Sequence, residues 1–92
     1  MANTSVHVEQ AIDRGYQIIA HHPSYSIPDR GSTIDAPYHD CSSFIGTCWL
    51  VPGRPSTHVM PSIYPQYGFD LYAYGSVTLI RGDILVMHRS AD

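Results

Sequence analysis

Apolar positions recur along this chain at helical spacing in three places and run unbroken in a fourth. From about residue 5 to 21, Val8, Ala11, Ile12, Ile18 and Ile19 predict a first helix, with Asn3, Thr4 or Ser5 as its cap and Gly15 as a weak point. Pro23, Pro28, Gly31 and Pro37 break up residues 22–39 into a loop, and Tyr25-Ser26-Ile27 is its one stretch suited to an extended backbone. Counting from Cys41, positions 44, 45, 48 and 49 are apolar, the stripe of a core-facing helix that ends near Val51, before Pro52-Gly53. Ser56 or Thr57 caps a third helix reaching about Tyr67, with Pro61 tolerated near its first turn, Pro65 ending or kinking it, and Gly68 as the residue just past its end. Arg81-Gly82-Asp83 predicts a turn delivering a strand, Ile84-Leu85-Val86-Met87, whose continuous apolar run predicts burial on both faces.

That strand needs neighbours to take its backbone hydrogen bonds, and few others are visible. The pattern therefore predicts one α+β domain, residues 1–92, whose sheet is completed elsewhere.

Composition narrows the classes. Ninety-two residues suit one small domain, and 43% apolar with 14% charged residues excludes a disordered chain or a coiled coil. The basic residues are five arginines and the net charge is −3, which leaves no patch for nucleic acid or an anionic membrane. No stretch approaches the ~20 apolar residues of a membrane span, and Met-Ala-Asn-Thr-Ser-Val-His lacks the basic and apolar regions of a signal peptide. The expectation is synthesis in the cytoplasm, with any export by a route other than its own signal. Two cysteines are too few for a disulfide-built scaffold, and seven residues of helix hold Cys41 and Cys48 roughly 10 Å apart, beyond disulfide reach.

Chemistry concentrates at Asp40-Cys41-Ser42-Ser43-Phe44. With Asp40 as N-cap, Cys41 occupies the first helical turn, where unpaired N–H groups and the positive end of the dipole favour a thiolate. A thiolate attacks carbonyls. Cys48, on the apolar stripe, reads instead as a small buried hydrophobe, and Ser42 and Ser43 as residues serving the helix's first turn, since no Gly-x-Ser-x-Gly elbow surrounds them.

The order of helix, Tyr25-Ser26 loop, Tyr38 to Phe44, Gly68-Phe69 and Arg81 to Leu85 resembles the NlpC/P60 papain-like cysteine peptidases, in the version found in phage endolysins and tail-associated lysins. The resemblance implies a papain-like fold and cleavage of peptidoglycan, either within stem or cross-bridge peptides or at the amide joining muramic acid to the peptide, at the bacterial cell wall and without cofactor or metal. It makes Cys41 the nucleophile and Tyr25 a helper at the oxyanion. Asp40 would face the cleft toward a substrate amine, with Tyr38 and Ser42 beside it on the substrate side. The family's general base is a His on the strand after the Gly-Asp strand, and this chain ends at Ser90-Ala91-Asp92, about where that strand should begin. His88 is the nearest candidate. The resemblance thus implies a nucleophile-bearing half, with a second polypeptide supplying the His and the remaining strands.

Two other readings stand beside it. His21, His22, His39, Asp40, Cys41, Cys48 and His58 supply metal-ligand types, but no pair has zinc spacing. Alternatively the chain is a non-catalytic cell-wall binder or phage assembly module, whose Tyr64, Tyr67, Tyr72 and Tyr74 would stack on sugars; Phe69 and Tyr72 are, on structural grounds, expected in the core. Asp83 is expected to close its turn by a side-chain hydrogen bond, and Arg81 to lie at the surface.

Overall fold

A computed structural model describes residues 7–87. The first helix, α1 (Val8–Ala20), starts at His7, whose N–H donates to Gln10 Oε1 at 3.1 Å; the expected caps Asn3, Thr4 and Ser5 lie outside the described residues. Its buried face is Ala11, Gly15 and Ile18, flanked by half-buried Val8 and Ile12; this is the predicted stripe with Gly15 added and without Ile19, which is 56% exposed. Gly15 belongs there because α2 crosses at that point: a methyl group on it would lie 3.4 Å from Phe44 and 3.5 Å from Cys48 Sγ.

Two very short strands follow, β1 (Ser24–Tyr25) and β2 (Tyr38–His39), paired in parallel with Ser24 opposite Tyr38 and Tyr25 opposite His39. The intervening loop folds back on them. Gly31 N–H donates to Tyr38 O at 2.8 Å, covering the outer edge of β2. From β2 the chain enters α2 (Cys41–Cys48), capped by Asp40 as its sequence predicts and ended at Trp49, two residues short of the expected Val51. Almost all of α2 is enclosed. Ser42, Ser43, Gly46, Thr47 and Cys48 are buried and Phe44 and Ile45 half-buried, so the apolar stripe understates its burial.

The third helix is shorter than predicted. Ser56 contributes its carbonyl, which accepts from Val59 and Met60 N–H, and helical geometry then runs only over α3 (Met60–Ile63). Pro65 tightens the next turn into 3-10 geometry over Tyr64–Tyr67, because it has no N–H to continue an α-helix. Gly68, at φ 92°, ends it in the left-handed conformation that glycine adopts without steric cost.

The core joins Ala11 and Ile18 of α1, Cys48, Trp49 and Val51, and Met60 and Tyr64. Phe69 packs edge-on against Trp49 (centroids 5.1 Å apart) and tilted against Tyr64 (5.0 Å), as expected for a core aromatic. Tyr72 is instead 58% exposed, and Tyr64, grouped by its sequence with surface tyrosines, is buried.

The turn at 80–83 forms. Asp83 N–H donates to Ile80 O, and the Asp83 carboxylate closes it by accepting from Ile80 N–H at 2.9 Å. Arg81 is exposed but engaged, its guanidinium donating to both carboxylate oxygens of Glu9 at 2.8 and 3.1 Å, while Gly82 lies against Val8. The strand predicted over Ile84–Met87 does not form: these residues have no strand pairing, and Leu85 and Met87 are 63% and 86% exposed. An apolar run sets β propensity, but a strand exists only through a neighbour's backbone groups, and no described segment lies alongside. Over the described residues the result is an α+β arrangement of three helices, one 3-10 turn and a two-stranded parallel sheet. No described helix is long and apolar enough to cross a membrane.

Candidate active site

Cys41 is the one exposed residue of α2. As the first residue of the helix its N–H has no acceptor within it, and the thiol lies outside while every other α2 side chain is at least half enclosed. Cys48, two turns further along the helix, is its opposite: buried, with burial pushing the thiol up to about 11, well above the ordinary range. A thiol so raised is protonated and inert at neutral pH.

Asp40 holds the helix start. Its Oδ1 accepts from Ser43 N–H at 2.8 Å and from the Ser42 hydroxyl at 3.1 Å, and Ser43 Oγ accepts from Asp40 N–H at 2.9 Å in return. Ser43 takes the role that Glu or Gln fills in the usual capping box. Burial opposes the charge on Asp40, but these hydrogen bonds and the Arg30 guanidinium outweigh it and hold the carboxyl below its usual range. The Asp40 side chain is only 9% exposed, and its Oδ1 faces the helix terminus. Ser42 is likewise buried at 3% and spent on Asp40. Both serve the cap, and both are enclosed.

Two residues that local pattern does not single out support this cap. His39 is 5% exposed, with Nε2 3.1 Å from Thr33 O and Nδ1 3.1 Å from Ser43 Oγ. A carbonyl only accepts, so Nε2–H donates to Thr33 O, while Nδ1 lies within hydrogen-bond distance of the Ser43 hydroxyl, which also donates to Asp40 O at 3.2 Å. With both nitrogens engaged, His39 is a bolt between loop, strand and helix, and is not a base for Cys41. Arg30 reaches the same cap from the loop, its Nε 3.8 Å from Asp40 Oδ2.

Tyr25 and Tyr38 lie on the two paired strands, the second of which leads into α2. Tyr25 stands opposite His39, two residues before the cysteine, and is 70% exposed; Tyr38, on β2, is 40% exposed. Cys41, Tyr25 and Tyr38 are therefore the accessible members of the predicted set, and Asp40 and Ser42 the enclosed ones. A groove of about 330 Å³ lies elsewhere, between α1, α2 and residues 82–84, lined by Phe44, Cys48 and Trp49 and not by Cys41. It is apolar and carries no reactive thiol, so the chemistry favours the α2 terminus over the groove. Among the described residues no three His, Cys, Asp or Glu side chains gather as a metal site would require. His88 lies outside the described residues.

The chain matches no protein-family model and no solved structure.

Proposed function

We propose that this chain supplies the nucleophile of a peptidoglycan hydrolase, a cysteine endopeptidase or N-acetylmuramoyl-L-alanine amidase acting by acyl transfer. One observation carries the reading: the chain exposes a single thiol at the capped start of an otherwise enclosed helix and buries its other described thiol. In this reading Cys41 Sγ attacks the carbonyl carbon of a stem-peptide amide. The oxyanion that forms is stabilised by the Cys41 N–H, with Tyr25 a second donor. A His from a second polypeptide, which also completes the papain-like sheet, protonates the leaving amine. Water then hydrolyses the thioester and regenerates the thiol. The sequence motifs around Cys41 and Asp83 support the peptidoglycan substrate and a lysin's site of action at the cell wall. No metal or other cofactor enters this mechanism.

The acylation half is testable without the missing base, because an activated ester needs no proton on its leaving group. Incubation with a thioester of a peptidoglycan stem peptide, followed by intact-mass and peptide mapping, should place one acyl group on Cys41 faster than an unrelated peptide thioester does. Equal acylation by both esters, or acylation no faster than in the urea-unfolded chain, would remove the hydrolase reading.

A second reading rests on the exposed Tyr72 and Tyr74, 58% and 91% accessible. A non-catalytic cell-wall or phage assembly module would use them for stacking on sugars. Sedimentation with purified cell walls that survives Cys41→Ala and is lost on Tyr72→Ala/Tyr74→Ala would favour it.

A further inference from the structure

Arg30 lies in the long loop between β1 and β2, eleven residues before the cysteine, yet its guanidinium ends beside the helix cap. Its Nη1 donates to Ile27 O at 2.7 Å and its Nη2 to Arg54 O at 3.4 Å, while Arg54 Nη1 donates back to Arg30 O at 2.6 Å. Two arginines thus clasp each other's carbonyls across 24 residues of sequence. Arg54 sits in the left-handed region at φ 51°, a conformation that costs a non-glycine residue free energy. Arg30 Nε is buried and donates no hydrogen bond; what it faces, at 3.8 Å, is Asp40 Oδ2, the oxygen that the cap leaves unused.

We infer that Arg30 is a positioning residue for Cys41: it neutralises the Asp40 carboxylate next to the nucleophile, and the clasp with Arg54 holds it there. The inference rests on Cys41 being the nucleophile. The cap needs a side-chain oxygen, which Asp40 Oδ1 supplies, but the charge of a carboxylate opposes a thiolate on the adjacent residue. At a separation of about 6 Å that repulsion changes a thiolate's reaction rate roughly three- to tenfold, between effective dielectric constants of about 80 and 40. A guanidinium on the far oxygen cancels the charge and leaves the capping oxygen in place.

The test is the rate of iodoacetamide labelling of Cys41 at pH 7 in the whole chain, with labelling of Cys48 as an internal report on folding. Arg30→Gln should label Cys41 about three- to tenfold more slowly than the parent, with Cys48 still protected, and Arg30→Lys should recover most of the loss. Arg30→Gln/Asp40→Asn should return to at least the parent rate, since Asn caps as well as Asp and brings no charge; a merely structural role for Arg30 would leave this double variant slow. Parent-like labelling in Arg30→Gln, or a double variant as slow as Arg30→Gln, overturns the inference. If Arg30→Gln exposes Cys48, Asp40→Asn alone decides: it should label at least as fast as the parent, and slower labelling overturns the inference. Failure of the nucleophile reading itself looks different, with Cys41 in the parent labelling no faster than a cysteine in the unfolded chain.

Discussion

Gly31→Ala is the most informative single change to the scaffold behind Cys41. A methyl group on Gly31 would lie 2.3 Å from Ala36 Cβ, against about 3.5–4.0 Å for an ordinary carbon contact, so the loop must open by more than about 1 Å. Ala36 is 7% exposed and cannot swing away as a long side chain would. Forced overpacking costs about 1–3 kcal/mol. The displaced segment also carries the 2.8 Å hydrogen bond from Gly31 N–H to Tyr38 O, and weakening it adds about 0.5–1.5 kcal/mol. The expected loss is therefore about 1.5–4.5 kcal/mol, or at about 4–8 °C per kcal/mol for a domain of this size, a Tm lower by at least about 6 °C. Thermal unfolding followed by far-ultraviolet circular dichroism measures it. Gly31→Ala/Ala36→Gly removes the opposing methyl and should regain at least half of the loss. A Tm for Gly31→Ala within about 2 °C of the parent, or a double variant no more stable than the single one, would refute this account of the loop.

Tyr64→Phe should raise the Tm slightly or leave it unchanged, because the Tyr64 hydroxyl is buried without a hydrogen-bond partner; a fall of several degrees would show that the hydroxyl is bonded. Asp40 has a folded-state pKa below its unfolded one, so its contribution to stability is fully present above the unfolded value near 4 and is lost as pH falls through the lower folded value. Urea titrations between pH 5 and pH 2, expressed as ranges of about three units, should show that acid-dependent loss shrinking in Asp40→Asn; an identical pH profile would contradict it. Cys48, with its thiol pushed up to about 11 and its side chain buried, should resist labelling at pH 7 until the chain unfolds, and its labelling in native buffer at the rate of Cys41 would place it at the surface.

What could be read from the sequence is what depends on near neighbours. The Asp40 cap, the start of α2 at Cys41, the Gly68 terminus and the turn closed by Asp83 are each set within three or four residues, and each formed where its residues predict. The strand at Ile84–Met87 failed because pairing is a property of two segments, and an apolar run specifies only one. The β1–β2 pair escaped for the complementary reason: two residues per strand carry no alternation to read. Arg30 and His39 were hidden more deeply. Their roles come from a loop that returns to α2, and Arg30 meets Arg54 across 24 residues. The tyrosines divide by packing: Tyr64 lies under Phe69, whereas Tyr72 follows it into a segment that has no cover.

The two ends of the described chain differ in how fully they are packed, and this bears on where a completing polypeptide would act. Around Cys41, the cap, the His39 bolt and the Arg30–Arg54 clasp are closed among this chain's own atoms. Along residues 71–87, Leu71, Tyr74, Leu79, Ile80, Leu85 and Met87 are all more than half exposed, an extent of apolar surface that soluble domains seldom leave uncovered. In the split-enzyme reading the nucleophile is therefore preformed, and the second polypeptide contributes the base and the sheet. Labelling of Cys41 should then be unchanged when a His-bearing partner is added, within about twofold, while turnover of cell-wall peptides appears only with it. If Cys41 became reactive only in the partner's presence, the cap would not be sufficient to prepare the thiol, and the division of labour drawn here would be wrong.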